Sequence, residues 1–483
     1  MIDIVKQLFS QWNERGVIYC HWKGNNHIQD AIIGKSDFDI LISDNSLQEG
    51  CKLLRKSGYM LCHTQYGARF PGIQDWIGVD SNTGTMIHVH LHQKMIAGHS
   101  GVMEYILPWN EIAFSTRVFN EEYGLYVLNP SLEIILLYTR LGIEHSSKKL
   151  KKVRKGWVLK ESTQVEIKFL KERCEEKVCS EMAMSLFPSC YNQILEFIHK
   201  SDLSTSDIKS LSKIVKKGCS RWLRYSRLTV IAYRLYKPIE DKFRSVYYRE
   251  IHHCSKRKTP ASGKGLTVAF LGQDGAGKTT VTKNLIKWWH WKMDVKYVYL
   301  GSGDNYTSWK KKISHKIPSS GILKLFRFLL TLSDIRDVTK KAYRNILSAE
   351  KYASKGGLVV YDRYPQLDYP GICDGPKIRL RLQEKLGQSL LSKMFMYLAD
   401  SEEKNIQKII AHRPDVVIKL ILPPEESIRR KPQEKLEAVK KKHEIVKSLE
   451  FKGSDVYTID ATLPFDEELI MIKNIIWQHI QKS

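Results

Sequence analysis

One stretch limits what this 483-residue chain can become: Gly272-Gln273-Asp274-Gly275-Ala276-Gly277-Lys278-Thr279-Thr280. An apolar run, residues 266–271, precedes it, and a helix-like segment from 281 to about 292 follows. Strand, glycine loop and helix in that order are the context in which G-x-x-x-x-G-K-T binds phosphate. Glycines allow backbone N–H groups to turn inward on a phosphate chain, and the helix N-terminus adds a favourable dipole. Lys278 supplies a compact cation for the terminal phosphates, and the Thr279 hydroxyl can ligate Mg²⁺. Gly272, Gly275, Ala276, Gly277, Lys278, Thr279 and Thr280 are therefore the candidate phosphate-binding residues.

The length suggests two or three domains. A hydrophobic fraction of 42% and a charged fraction of 27% are those of a globular protein. No apolar run reaches the roughly 20 residues that span a bilayer. Asp3 and Lys6 interrupt any secretory pattern at the start. Nine cysteines are scattered, with Cys174 and Cys179 nearest to one another, which is neither a zinc spacing nor a disulfide framework. A reducing cytoplasm is the expected location. The net charge of +25 is uneven: residues 146–262 hold 27 Lys and Arg against 12 Asp and Glu. Such asymmetry suits a polyanion or an anionic membrane face, to whose inner side the protein would be peripheral; the alternative is a solvated basic surface.

Residues 1–145 alternate strand-like and helix-like runs. A strand near 17–20 leads to His21-Trp22-Lys23-Gly24-Asn25-Asn26, and then to Ser36-Asp37-Phe38-Asp39 and an apolar run. Asp37 and Asp39 are two apart, so on a strand both carboxylates face one side, where they either hold a divalent metal or are two solvated surface acids. A Gly-rich turn, a helix and S-D-x-D in this order resemble the nucleotidyltransferase fold of the polymerase-β-like superfamily. That resemblance implies phosphate contact at Gly24-Asn25, Mg²⁺ at Asp37 and Asp39, and a third carboxylate from a neighbouring strand. The most plausible neighbour, residues 85–92, offers His88, His90 and His92 at alternate positions and no acid. These histidines can be metal ligands, phosphate or sugar contacts, or structural. A strongly apolar helix from 131 to about 141 closes the core.

Residues 146–262 read as a basic helical connector. It opens on the run from Lys148 to Lys155 and contains Arg221, Arg224 and Arg227 at a three-residue step, interleaved with aromatics. On one helical face these arginines would meet anionic lipid or nucleic acid; otherwise the aromatics pack against a neighbouring domain. Residues 255–265 read as a flexible basic linker.

Beyond the glycine loop, a strand over 296–300 ends in Gly301-Ser302-Gly303-Asp304. A helix from about 333 to 354 leads to a buried strand that delivers Asp362 and Arg363, suited to Mg²⁺ and to a phosphoryl group. A further buried strand, 414–422, precedes Arg429-Arg430-Lys431, a basic segment fit for a lid or simply for a solvated helix face. A last strand, 456–461, and a helix over 467–480 complete the chain.

Residues 265–483 resemble thymidylate kinase, through the loop with internal Asp274, the D-R-Y at Asp362-Arg363-Tyr364, the P-D-V-V-I-x-L strand with P-P-E, and the closing I-D-A. The resemblance implies that Asp274 approaches the acceptor, Arg363 the phosphates, Asp362 the Mg²⁺, and Arg429 and Arg430 form a lid. Two departures concern the acceptor. The family's Arg-Glu-Pro turn is replaced by Gly301-Ser302-Gly303-Asp304, and its acceptor-helix arginine falls on Ala342, with Arg344 two residues later. Arg344, Lys377 and Arg379 are the candidate substitutes.

The expected architecture is α/β: a C-terminal parallel sheet with helices on both faces (263–483), a small nucleotidyltransferase-like domain (1–145) and the connector between them. The expected activity is an ATP- and Mg²⁺-dependent phosphotransferase, with catalytic Lys278, Asp274, Asp362 and Arg363. One alternative acceptor is a sugar, glycan or lipid-linked group, as in similarly paired proteins of bacterial surface-polysaccharide clusters. The other alternative is an ATP-gated protein that binds nucleic acid or membrane.

Overall fold

Period-two alternation of apolar residues builds a mixed sheet in the first half of the chain. A computed structural model describes residues 2–64, 70, 72–99, 101–144, 150–153, 156–250, 257–301, 309–318, 321–383 and 392–482. It divides into two units, Met1–Ile251 and His252–Ser483.

In the first unit, strands β1 (Tyr19–His21), β2 (Phe38–Ile42), β3 (Tyr59–Thr64), β4 (Ile73–Val79), β5 (Met86–His92), β6 (Val118–Asn120) and β7 (Leu125–Val127) lie in the order β3-β4-β5-β2-β1-β7-β6. β5 runs parallel to β2 and antiparallel to β4, which sets His90 opposite both Asp39 and Asp75. Helices α1 (Asp3–Glu14) and α2 (Leu47–Lys56) contribute Phe9, Trp12, Leu53 and Leu54 to a core shared with Tyr19, Phe38 and Trp76. Each large side chain removed from water in this way contributes about 1.5–3 kcal/mol.

Helix α3 (Pro130–Ile143) starts where Asn129 accepts a hydrogen bond from Ser131 N–H at 2.9 Å and Pro130 fills the first turn. It is buried along nearly its whole length. Around it pack α4 (Glu161–Lys171), α5 (Glu176–Leu186), α6 (Tyr191–His199) and α7 (Thr205–Gly218), so Leu170, Ala183, Ile194 and Leu211 share its core. The helices that the sequence sets apart as a connector are thus built into the first unit. Most of the basic run that opens that segment (145–149 and 154–155) lies outside the described residues, and what is described there, Leu150–Val153 with Gly156–Leu159, pairs as an antiparallel hairpin.

Arg221, Arg224 and Arg227 do not share a helical face. Arg221 sits in a 3₁₀ turn, Arg224 in irregular chain, and Arg227 opens α8 (Arg227–Glu250). The reason is Trp222, which packs edge-on against Trp109 and Phe187 and breaks the run. Arg224 Nη1 donates to Met103 O at 3.2 Å. α8 itself leaves Leu228, Leu235 and Phe243 exposed. Among the described residues no helix is long and apolar enough to cross a membrane.

In the second unit, β8 (Leu266–Gly272), β9 (Val295–Tyr299), β10 (Leu358–Asp362), β11 (Val416–Ile421) and β12 (Asp455–Asp460) form a sheet ordered β9-β10-β8-β11-β12, with every neighbouring pair parallel. The inner strands are mostly apolar because both faces are covered, with Thr267 and Lys419 as buried exceptions. Ala269 and Leu271 of β8 pack with Ala342 and Ile346 of α10 (Gly321–Ala353) and Ile445 of α13 (Leu436–Ser448). α9 (Lys278–Trp289) and α14 (Phe465–Lys482), joined through Trp289 and Trp477, also contact β8. The order reverses direction on either side of β8, where open α/β sheets bind ligands. α10 begins twelve residues before the sequence suggests, because its first turns pack on α11 (Ser392–Ala411) through Phe328 and Phe395. The basic linker is not free where it is described. Lys258 N donates to Lys292 O at 3.0 Å and Asp294 N to Lys258 O at 2.9 Å, which anchors Lys258–Pro260 to the turn after α9.

Candidate functional site

The glycine loop joins the carboxyl end of β8 to α9. Gly275 and Gly277 have φ of 86° and 79°, the left-handed region that side chains avoid, and this turns the loop over the N-terminus of α9. Lys278 is buried, and its Nζ donates to Gly272 O at 2.7 Å and Gln273 O at 2.8 Å. Burial, followed by the neighbouring Arg363, lowers its pKa to about 8.

β10 brings Asp362 beside the loop. Its Oδ2 accepts from Thr279 Oγ1 at 3.2 Å and from Tyr297 OH at 2.9 Å. Its Oδ1 is buried with no hydrogen-bond partner. A buried anionic oxygen left open beside a threonine hydroxyl fits a divalent cation such as Mg²⁺. Arg363 follows with φ of 72°, a conformation costly for a side-chain-bearing residue and typical of functional sites. Its guanidinium lies 3.3 Å from Asp374 Oδ2 and 3.7 Å from Asp274 Oδ1.

Asp274 is held by residues from elsewhere. Lys442 Nζ of α13 lies 2.5 Å from its Oδ2, and Ser427 Oγ donates to its backbone carbonyl at 2.5 Å. Burial raises the Asp274 pKa, but Lys442, Lys278 and Arg363 outweigh it and hold the carboxyl below its ordinary value. Arg430, on α12 (Pro424–Arg430), donates to Gly275 O at 3.4 Å and to Ala461 O at 3.2 Å, while Arg429 is exposed and bound to Glu426.

The acceptor candidates separate. Arg379 is committed to Glu403 at 2.7 Å and Asp400 at 2.9 Å, both on α11. The backbone N–H of Lys377 donates to Glu402 at 3.1 Å. Arg344 is exposed on α10. None of the three lines the hollow of about 330 Å³ between β9 and α10, whose lining includes Lys296, Tyr299, Lys341 and Asn345. Gly301 lies against Arg363, where a Cβ would approach the arginine side chain to 2.5 Å; residues 302–308, with the rest of that turn, lie outside the described residues.

In the first unit, Asp37, Asp39, His88 and His90 do come together, with residues the sequence reading left out. Asp37 Oδ1 lies 2.9 Å from His88 Nδ1, and Asp75 Oδ1 2.9 Å from His88 Nε2. His88 is therefore bracketed by two acids. Asp75, the third acid of this cluster, lies on β4. Asp39 Oδ1 is approached by Lys23 Nζ at 3.0 Å, His90 Nδ1 at 3.2 Å and His92 Nε2 at 3.4 Å. Burial raises the Asp39 pKa, but Lys23 and the imidazoles hold it well below the carboxylate range. Asn25 gives its side chain to Glu133 (2.6 Å) and His21 (2.6 Å) and its backbone N–H to Glu133 (3.0 Å), which ties the Gly24-Asn25 turn into the α3 core.

No family model matches the chain. It is 27% identical over 221 residues to the uncharacterized ATP-binding protein YghR of Escherichia coli K12, spanning 42% of this chain and 83% of that protein. It is 28% identical over 226 residues to the uncharacterized ATP-binding protein YghS of the same strain, spanning 42% and 88%. Among solved structures, deoxyadenosine kinase from M. mycoides with bound dATP aligns at 16% identity and a TM-score of 0.27, over 43% of this chain and 98% of that one. Thymidylate kinase from Candida albicans aligns at 15% identity and a TM-score of 0.27, over 46% and 94%.

Lys442, Ser427, Lys341 and Asp75 carry geometry that the sequence reading passed over. Lys442 had a signal, in the run Lys440-Lys441-Lys442-His443 a helix-turn after a buried strand. Asp75 also had one, as the lone acid in a mostly apolar strand.

Proposed function

We propose that the second unit is an ATP- and Mg²⁺-dependent phosphotransferase. The observation that carries this reading is the orphaned Asp362 Oδ1 beside Thr279, with Arg363 of the same strand end facing Asp274 of the glycine loop. The loop amides and Lys278 would hold the β- and γ-phosphates. Thr279 and Asp362 would hold Mg²⁺, which when bound neutralises charge on the phosphates. Arg363 would meet the charge that develops on the transferring group, released from Asp274 and Asp374 as the phosphate enters. Asp274, fixed by Lys442, would orient the acceptor. The homology to proteins named as ATP-binding supports the donor.

The acceptor reading departs from a nucleoside monophosphate. Arg379 is neutralised by two acids and Arg344 does not line the hollow, so a phosphate dianion there would rely on Lys341 and Lys296. A hydroxyl acceptor, such as a sugar, glycan or lipid-linked group, demands fewer cations and is the second reading. ATP consumption against nucleoside monophosphates, nucleosides and sugars tests both. At least one acceptor should stimulate Mg²⁺-dependent ADP release, and Asp362→Asn should lower that rate by about 100-fold, as for other lost charge-stabilising groups. Tight ATP binding with no stimulation by any acceptor would instead describe a nucleotide-gated switch.

A further inference from the structure

Three donor atoms on the first unit's sheet form a nearly equilateral triangle. Asp39 Oδ1 to His90 Nδ1 is 3.2 Å, Asp39 Oδ1 to His92 Nε2 is 3.4 Å, and His90 Nδ1 to His92 Nε2 is 3.3 Å. Ligand atoms of a tetrahedral centre with bonds of about 2.0–2.1 Å lie about 3.3 Å apart. The triangle is imposed by the fold. Parallel pairing sets Asp39 beside His90, and the two-residue period brings His92 to the same face.

We propose that Asp39, His90 and His92 bind one first-row transition ion of the Zn²⁺ or Co²⁺ class, with a fourth position open to an exogenous oxygen ligand. Two imidazole nitrogens and one carboxylate select this class over Mg²⁺, which requires oxygen donors. The surroundings supply the outer partners such a centre needs. His90 Nε2 faces Asp75 Oδ1 at 3.7 Å, and Asp75 is itself fixed by His88. The Trp22 ring lies 5.1 Å from that of His92 and holds it in place. Asp39 and His90 are 23% and 30% exposed, so a ligand can reach the open side. Lys23, on the same carboxylate oxygen, is the competitor: its ammonium serves as the cation for Asp39 when no metal is bound.

The test uses the full chain, stripped with chelator and titrated with Co²⁺ and, separately, Zn²⁺ and Mg²⁺. One Co²⁺ per chain is expected, with a four-coordinate visible spectrum lacking a thiolate charge-transfer band. Losing an outer partner already weakens such sites about 10–100-fold, so His90→Gln and His92→Gln should each weaken Co²⁺ by more than about 100-fold. His199→Ala, an exposed histidine on α6, should bind as the parent does. Circular dichroism checks that each variant folds. Half-exposed His90 is the safer position if buried His92 proves structural, and Asp39→Asn gives a third, independent probe. A folded parent that takes up no Co²⁺ or Zn²⁺, or uptake that survives both His90→Gln and Asp39→Asn, overturns the proposal. So does loss of the Co²⁺ spectrum when Mg²⁺ is added at equal concentration, which would place the ion on oxygens alone.

Discussion

The two charged sites of this protein solve one problem in different ways. In the second unit, carboxylates are separated by permanent cations: Lys442 on Asp274, and Arg363 between Asp274 and Asp374. One oxygen, Asp362 Oδ1, is left open. In the first unit, carboxylates alternate with imidazoles, Asp37–His88–Asp75–His90–Asp39–His92, with a single lysine at one end. Fixed cations suit a site that meets a highly charged, transient substrate. Imidazoles beside a carboxylate suit one that keeps an ion. The comparison teaches that equal acid counts do not mean equal chemistry; the partner that neutralises each acid decides it.

Three experiments press on that contrast. The largest effect is expected from Lys278→Ala, which removes the cation from the phosphates. It should cut ATP-dependent turnover by about 10²–10³-fold while leaving Co²⁺ uptake unchanged. Parallel loss of both would merge the two sites into one function. Lys23→Met should act in the opposite sense at the other site. With the competing ammonium gone, Co²⁺ affinity should rise by about tenfold, the equivalent of one pKa unit of charge interaction. Weaker Co²⁺ binding in this variant would instead mean that Lys23 supports the centre. The smallest effect is protonic. Lys278 in the nucleotide-free protein is lowered to about 8, by burial and then by Arg363. Phosphate favours the charged lysine, so ATP binding should take up a proton, and affinity should fall by at most about tenfold per pH unit above that value. Calorimetry in two buffers of different ionisation enthalpy reads the proton count; proton release would contradict the assignment.

What the sequence discloses follows the range of the interactions. The glycine loop, α9 and the D-R-Y strand are local: a few neighbouring residues dictate their own conformation, and the structure has them as read. Asp37, Asp39, His88 and His90 were legible as faces of strands, because period two is also local. Which strand lies beside which is not local. The sequence offers β5 as the neighbouring strand, and Asp75 joins the cluster from β4, through an antiparallel pairing that sets it opposite His90. The grip on Asp274 is similarly distant, since Lys442 is 168 residues away. The acceptor cations show the opposite error. Arg379 is prominent in the sequence, but Glu403 and Asp400 on α11 neutralise it, and no pattern around position 379 announces that. By composition the aromatic run near Trp222 fits either a lipid-facing helix or one packed on its neighbours; Trp109 and Phe187, distant in sequence, pack on Trp222 and leave it half-buried.

The short strand Lys258–Pro260 changes where the second unit of the chain begins. A truncation starting at residue 263, where the glycine-rich composition shifts, would discard Lys258 and leave Lys292 O and Asp294 N without their backbone partners. Thr259, which is buried against Gly356, would go with it. The backbone losses fall just past the far end of α9, whose other end carries Lys278. The seam between the halves of this protein therefore lies upstream of residue 257, and six residues that look like tether belong to the folded body.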